Sequence, residues 1–188
     1  MPEEVISQIA QIANLGTSTS NMYININAQG TGTLTGSNVD ANLVKADRLL
    51  EFKESISRKI NRASANDLFA SGELDASLVA FEMLRTKASI YVENSVIQGT
   101  QLDTIKVYWS ILVGAKLNVL REIDYSSCFI TEFSLQDKSV EGERLDTIKG
   151  LFRYTQRKET QFYFDQTGKP MGQDVSLVDF TKGTLQAS

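Results

Sequence analysis

The sequence contains no histidine and one cysteine, Cys128, among its 188 residues. Histidine is the usual general base near neutral pH and the commonest metal-binding side chain, so a Ser-His-Asp triad and a histidine zinc site are excluded. A lone cysteine excludes an intrachain disulfide, a cysteine zinc cluster and a CxxC redox pair. The fold must therefore depend on side-chain packing, and we expect neither a metal nor a cofactor.

Long apolar runs and an excess of basic residues are also missing. The best apolar stretch, Tyr108 to Ala115, is far shorter than the roughly 18 residues that cross a bilayer. The start, Met1 to Glu4, is acidic where a secretory signal is basic, so we read no signal peptide and expect folding in the cytoplasm. With a net charge of -4, the chain has no basic field to attract nucleic acid or anionic lipid. We expect neither a nucleic-acid partner nor stable insertion in a membrane.

The composition that remains suits one folded domain. A chain of 188 residues with 41% hydrophobic residues can bury a substantial core, and we assign that domain to residues 20–188. Residues 1–19 form an N-terminal arm and linker. Apolar residues recur at helical spacing over Pro2 to Leu15, and the polar link Thr17 to Ser20 follows. We expect this short helix to dock on the domain or on a partner.

Alternating apolar and polar residues predict strands along most of the domain. The predicted strands are Met22–Ala28, Arg48–Ile56, Ser77–Leu84, Leu102–Val113, Lys116–Glu122, Ser127–Gln136, Leu145–Lys158 and Thr160–Asp165. One interior helix is predicted over Lys87 to Gln98, ending at Gly99, with Tyr91 and Val92 on its buried face. Turns are predicted at Gly30 to Asn38 and at Gln166 to Pro170. Strands at this spacing indicate a β-sandwich or barrel.

Carboxylates are the catalytic groups that the composition leaves available, although nothing singles out a pair of them. Glu132 lies in the most apolar context, between Ile130 and Phe133, and on an alternating strand the simpler interpretation is that it faces solvent. Cys128 has no histidine to activate it, so we interpret it as a core or subunit-interface residue.

Basic and aromatic residues are mixed near the C-terminal third of the chain. Arg153, Arg157 and Lys158 lie among aromatic residues, a mixture that can stack on and neutralise single-stranded nucleic acid. The same mixture is typical of a strand with a solvated charged face. The net charge of -4 favours the second interpretation.

The order of these elements resembles that of the Hcp family, the tail-tube protein of type VI secretion systems, which is similar in turn to the tube proteins of contractile phage tails. The resemblance covers roughly residues 21 to 185. Five places carry it: Asn21–Ile26, Ser89–Gly99 with Leu102–Val107, Lys116–Leu120 running into Phe129–Leu135, Glu141–Tyr154 and Thr167–Lys169.

The resemblance implies a mainly β fold, a β-barrel of two packed antiparallel sheets with one side helix, to which this chain adds the short N-terminal helix. It also implies hexameric rings that stack into a tube, with sheath, spike and effector proteins as partners. Such a subunit is exported through the apparatus without a cleaved signal peptide and catalyses no reaction. Aromatic residues on Phe129 to Leu135 and Gln161 to Phe164 should then be covered only in the ring.

The segment Ile56 to Ala76 is our candidate for contact with the adjacent subunit or ring, since Leu68 and Phe69 stand in an otherwise polar run. A local loop with a small core of its own is the alternative for this segment.

Two functions of other classes stay open. A β-sandwich module that binds a small ligand or a carbohydrate would use Tyr108, Trp109 and Tyr163 as a stacking platform. A carboxylate-based hydrolase would bring two acids, such as Glu132 and Glu143, to one cleft.

Overall fold

The computed structural model of the chain describes residues 22–28, 32–33, 43, 45–58, 74–76, 78–113, 116–140, 143–181 and 184–187. The predicted N-terminal helix, Pro2 to Leu15, lies outside these residues, as do Leu68, Phe69 and most of the predicted turn at Gly30 to Asn38.

Strands account for most of the described chain. They are β1 (Met22–Ala28), β2 (Gly32–Thr33), β3 (Asp47–Lys53), β4 (Ile56–Arg58), β5 (Leu74–Ala76), β6 (Val79–Leu84), β7 (Leu102–Val113), β8 (Lys116–Val140), β9 (Glu143–Arg153), β10 (Gln156–Phe164), β11 (Pro170–Asp179) and β12 (Thr184–Ala187). The helix α1 (Lys87–Gln98) joins β6 to β7. Across the described ranges, no helix combines the length and the apolar character needed to span a membrane.

Six strands close a barrel in the order β8-β7-β1-β3-β6-β9, because β9 pairs back onto β8. Every pairing around the barrel is antiparallel. The strands β10, β11 and β12 extend the same sheet outward from β8, and β2 adds to β1. The strands β4 and β5 pair with each other as a separate two-stranded ribbon. The predicted fold class, a mainly β barrel with one side helix, is confirmed.

One strand, β8, belongs to both the barrel and its extension. The sequence predicted two strands here, Lys116–Glu122 and Ser127–Gln136, and the predicted break between them is wrong. Asp124 lies inside the sheet, opposite Lys106 of β7 and Lys158 of β10. At Ser127, where φ is +53°, the strand exchanges β10 for β9 as its neighbour on one side. A long strand that changes partner midway alternates less regularly, which explains the apparent break.

The predicted strand Leu145 to Lys158 is divided in the structure. The strand β9 ends at Arg153 and β10 begins at Gln156, so Glu159 lies within a strand rather than between two. The bend is fixed at Thr155, whose N–H donates to the Ser126 carbonyl at 3.1 Å. Because both sides of the bend are rich in aromatic and charged residues, the composition did not reveal it.

The barrel is filled by apolar side chains from all six strands and from α1. Its largest members form an aromatic cluster in which the Tyr125 ring lies 5.2 Å from Phe152 and 4.7 Å from Tyr154. Cys128 is fully buried in this core, and burial raises the pKa of its thiol to about 12. Its predicted role as an inert core residue fits this placement.

The helix α1 has the predicted bounds and is capped at both ends. The Thr86 side chain accepts a hydrogen bond from the Ala88 N–H, and Gly99 adopts the left-handed conformation (φ +63°) that ends the helix. The buried face consists of Ala88, Ser89, Val92 and Ser95. Tyr91, predicted on this face, is 50% exposed. Ser89 is buried instead, and its hydroxyl accepts a hydrogen bond from the Thr86 N–H at the start of the helix.

Candidate functional site

Charged side chains continue the inner-facing rows of the barrel where the sheet passes from β8 into β10. On β8, the side chains of Ile123 and Tyr125 are buried in the core, and the residues between them face outward. Arg121, two residues before Ile123, lies on the core-facing side of the strand. On β10, Arg157 lies opposite Tyr125 and Glu159 lies opposite Ile123. Since paired residues of neighbouring strands share a face, these charges point toward the side that holds the core.

These charges meet Glu54, which follows β3, in a connected arrangement. The Arg157 Nε donates to both Glu54 carboxylate oxygens, at 2.9 and 3.1 Å, and its Nη2 donates to the Glu159 Oε2 at 2.7 Å. The Tyr154 hydroxyl donates to the Glu54 Oε1 at 2.9 Å. The other Glu159 oxygen accepts from the Arg121 Nε.

Aromatic side chains connect Arg121 to Phe52 of β3. The Arg121 guanidinium lies 4.7 Å above the Trp109 ring, and the Trp109 ring meets the edge of Phe52 at 5.2 Å. Phe52 lies in β3, two residues before Glu54. We call this set the polar network; its members are Phe52, Glu54, Trp109, Arg121, Tyr154, Arg157 and Glu159. It ties β3, β7, β8 and β10 to one another.

Burial and charge act together on the ionisable members of the polar network. Burial on its own would raise the pKa of Glu159, but hydrogen bonds from Arg157 and Arg121 outweigh it and lower that pKa. Burial would lower the pKa of Arg157, and the Glu54 carboxylate reverses the effect and raises it. For Tyr154, burial and the nearby Glu54 carboxylate both raise the pKa of the hydroxyl. For Glu159, Arg157 and Tyr154, each shift moves the pKa further from neutrality, so these three groups keep one charge state near pH 7.

The structure corrects the interpretation of the basic cluster as a solvated face. Arg157 is only 6% exposed and forms the centre of the polar network. Arg153 and Lys158 are exposed, as predicted. The chain thus has no continuous basic face along the described part of β9 and β10.

The predicted hydrolase pair is not assembled. Glu132 is exposed as expected, and the β8–β9 register places it opposite Leu151, whereas Glu143 lies opposite Val140 at the far end of the hairpin. Val140 is eight positions after Glu132 along β8, which corresponds to about 25 Å in an extended strand. Glycosidase carboxyl groups lie about 5 to 10 Å apart, so this pair cannot act on one bond.

The predicted stacking platform is not formed either. Tyr108 and Trp109 are consecutive on β7 and so face opposite sides of the sheet. Trp109 is engaged by Phe52 and Arg121 in the polar network. The depression over β6, β8 and β9 has a volume of about 270 Å³ and a lining that includes Glu51, Glu82 and Lys149. This volume is below the range of about 300–1,000 Å³ that is typical of pockets for small ligands.

Large apolar side chains are exposed on the strands where the sequence predicted subunit contacts. Phe129 and Leu135 on β8 are 42% and 52% exposed, and Tyr163 on β10 is 46% exposed. Met171 on β11 is exposed as well. Exposed apolar side chains that form a contiguous patch are typical of surfaces that a partner covers, which makes these positions candidates for the subunit contact. Their burial in a ring stays a prediction.

Acid should weaken the fold through Glu159. Because its pKa is lowered from 4.5 in the folded chain, its stabilisation is complete above that value and is lost as the pH falls through the folded pKa. We expect the free energy of unfolding to decline below about pH 4.5, and Glu159→Gln to remove part of that decline. Urea unfolding at a series of pH values measures this. Glu132→Gln, an exposed position on β8, is the matched control; equal declines in Glu159→Gln and the unaltered chain would contradict the assignment.

Comparison of the sequence with protein-family models and with curated proteins gives no match. Comparison of the structure gives clear similarities. The chain is similar to a type six secretion system protein, with a TM-score of 0.75 and 15% identity over 89% of this chain and 100% of the other. It is similar to Hcp1 from Salmonella typhimurium, with a TM-score of 0.62 and 10% identity over 89% of this chain and 100% of the other.

A third similar structure is the secreted protein Hcp3 from Pseudomonas aeruginosa, with a TM-score of 0.56 and 12% identity over 90% of this chain and 97% of that one. At these identities the likeness shows a shared fold. The resemblance to Hcp proteins, read from the order of elements in the sequence, is confirmed at that level.

Proposed function

We propose that this chain is a structural subunit of the inner tube of a type VI secretion apparatus or a related contractile injection machine. The observation that carries the proposal is the match of 89% of this chain to the whole length of a type six secretion system protein, at a TM-score of 0.75. One fold can serve many functions, so the proposal also needs support from the surface.

The described surface suits assembly better than chemistry. Large apolar side chains are exposed on β8, β10 and β11, and β12 is an edge strand with unpaired backbone groups on one side. The predicted carboxylate pair and stacking platform are not formed. Among the described residues, no group of three or more acidic or cysteine side chains is placed to hold a metal ion.

In the proposed mechanism, contacts between strands of neighbouring copies close a hexameric ring, and ring faces stack into a tube. A sheath supplies the work of contraction, a spike caps the tube, and effectors travel in or with it. The subunit folds in the cytoplasm and leaves through the apparatus without a cleaved signal peptide. The N-terminal arm, residues 1–19, contacts a neighbouring ring or another component.

Within this mechanism, Leu68 and Phe69 contact the adjacent subunit or ring. The sequence places both in the segment carried by the β4–β5 ribbon, since Ile56–Arg58 pairs with Leu74–Ala76 and the ribbon joins no other strand of the described chain. A segment presented in this way can reach a neighbour without disturbing the barrel.

Light scattering of the purified chain tests the proposal. We expect an assembly several times the subunit mass of 20.9 kDa. The double variant Leu68→Ser, Phe69→Ser should fold normally and assemble less. Ile90→Ser with Ile97→Ser, two exposed positions on α1, is the matched control and should assemble like the unaltered chain. A clean monomer of the unaltered chain would contradict the tube function, whereas full assembly of the first double variant would contradict only the contact.

A further inference from the structure

We propose that Glu54 and Arg157 form a clasp that fixes the direction in which the β4–β5 ribbon leaves the barrel. Both are positioning residues for the ribbon. The effect of the clasp on assembly rests on the proposed tube function, whereas its effect on the ribbon does not.

The ribbon is joined to the barrel by two short links. The strand β3 ends at Lys53 and β4 begins at Ile56, while β5 ends at Ala76 and β6 begins at Val79. Lys53 and Ala80 are paired across β3 and β6, so the ribbon leaves and re-enters the barrel wall at neighbouring points. Two residues on each side are few enough to act as a hinge. Because the ribbon pairs with no other strand of the described chain, contacts of another kind must set its angle.

Glu54 occupies one of these links, and its side chain is held firmly. The Glu54 side chain is 10% exposed. Its carboxylate accepts a bifurcated hydrogen bond from the Arg157 Nε and a second hydrogen bond from the Tyr154 hydroxyl. Charge-assisted hydrogen bonds of this kind are directional as well as strong. The link residue can therefore adopt only a narrow range of orientations.

The rest of the polar network gives the clasp a rigid base. Arg157 is fixed in turn by Glu159, and Glu159 by Arg121. Through Trp109, this chain of contacts reaches Phe52, which lies in β3 two residues before Glu54. These contacts thus fix the orientation of the link relative to β10, β8 and β7. Those strands are themselves held together by backbone pairing.

Stability alone does not require charges at these positions. Apolar side chains of similar volume often stabilise a fold as well as a buried ion pair does, whereas removing one partner is costly. The double variant Glu54→Leu, Arg157→Met removes both charges of the pair, and Glu159 keeps its contact with Arg121. We therefore expect the barrel to fold while the directional contact is lost. A loss confined to the ribbon would distinguish positioning from a general contribution to folding.

Hydrogen exchange of the full chain, followed by mass spectrometry, tests this. In the double variant we expect amide exchange to rise at least about tenfold in residues 54–58 and 74–78, with exchange in β1 and β7 unchanged. Arg153→Met, an exposed arginine on β9, is the matched control and should change neither region. Unchanged ribbon exchange would overturn the clasp, and an equal rise in ribbon and barrel would overturn its positioning role.

Tyr154→Phe provides an independent test if the double variant does not fold. It removes one hydrogen bond to Glu54 and leaves the ring in place, so ribbon exchange should rise while barrel exchange stays constant; no rise would overturn the clasp.

Light scattering of the same samples separates the two proposals. Loss of assembly together with faster ribbon exchange supports both, and full assembly with a loosened ribbon overturns the role of the clasp in assembly. If the unaltered chain is monomeric, the tube function fails and the exchange result still decides the clasp.

Discussion

Gly150→Val is expected to lower the free energy of unfolding by about 3 kcal/mol. Gly150 lies in the barrel wall, opposite Phe81 of β6 and Phe133 of β8. A Cβ atom there would lie 2.5 Å from two atoms of the Phe81 ring, and that ring is itself buried. The ring occupies the space that any other residue at position 150 needs.

Urea unfolding of Gly150→Val, alone and combined with Phe81→Leu, measures the effect. Reducing the ring should restore part of the lost stability, because the clash is with that side chain. Gly99→Ala serves as a comparison, since position 99 has a φ of +63° with open space around it. It should cost about 1 kcal/mol from backbone conformation alone. A Gly150→Val chain as stable as the unaltered one would contradict the packing described for this wall.

Phe152→Ala is expected to lower the free energy of unfolding by about 3 to 5 kcal/mol. Phe152 is fully buried in β9, and its ring lies 5.2 Å from Tyr125 and 6.1 Å from Phe81. Because these neighbours are themselves large and fixed, the wall cannot collapse into the space that the ring vacates. The resulting cavity would open directly beside Tyr154, which supports the clasp.

The matched control for Phe152→Ala is Phe129→Ala, the same substitution at a position 42% exposed on β8. It should change the free energy of unfolding by less than about 1 kcal/mol. In the proposed tube the same control should weaken assembly, because Phe129 is then covered by a neighbour. Denaturant unfolding and light scattering on both variants separate the two effects. Equal destabilisation by the two substitutions would contradict the assignment of Phe152 to the core.

Regular periodicity made several elements predictable from the sequence. The bounds of β1, α1 and β7 agree with the prediction, because each segment keeps one spacing from end to end and α1 is followed by a glycine. The number and spacing of the strands indicated a β-sandwich or barrel, and the resemblance to a known family implied the barrel. These are properties that neighbouring residues determine.

The polar network was beyond local inference because it depends on contacts distant in sequence. Arg157 and Glu54 are 103 residues apart, and Glu54 stands in a polar stretch where exposure was the natural expectation. The bend at Thr155 also shifts the alternation, so that Arg157 points inward although an unbroken strand would have turned it to solvent. The burial of Arg157 and Glu54 depends on which strands pair, and the local sequence does not show that pairing.

Electron microscopy of the purified, unaltered chain tests the tube function most directly. We expect ring-shaped particles in end-on views, with a central hole and about six subunits, together with stacks of such rings. A uniform population of compact particles of the 20.9 kDa subunit, with no rings at any concentration examined, would contradict it.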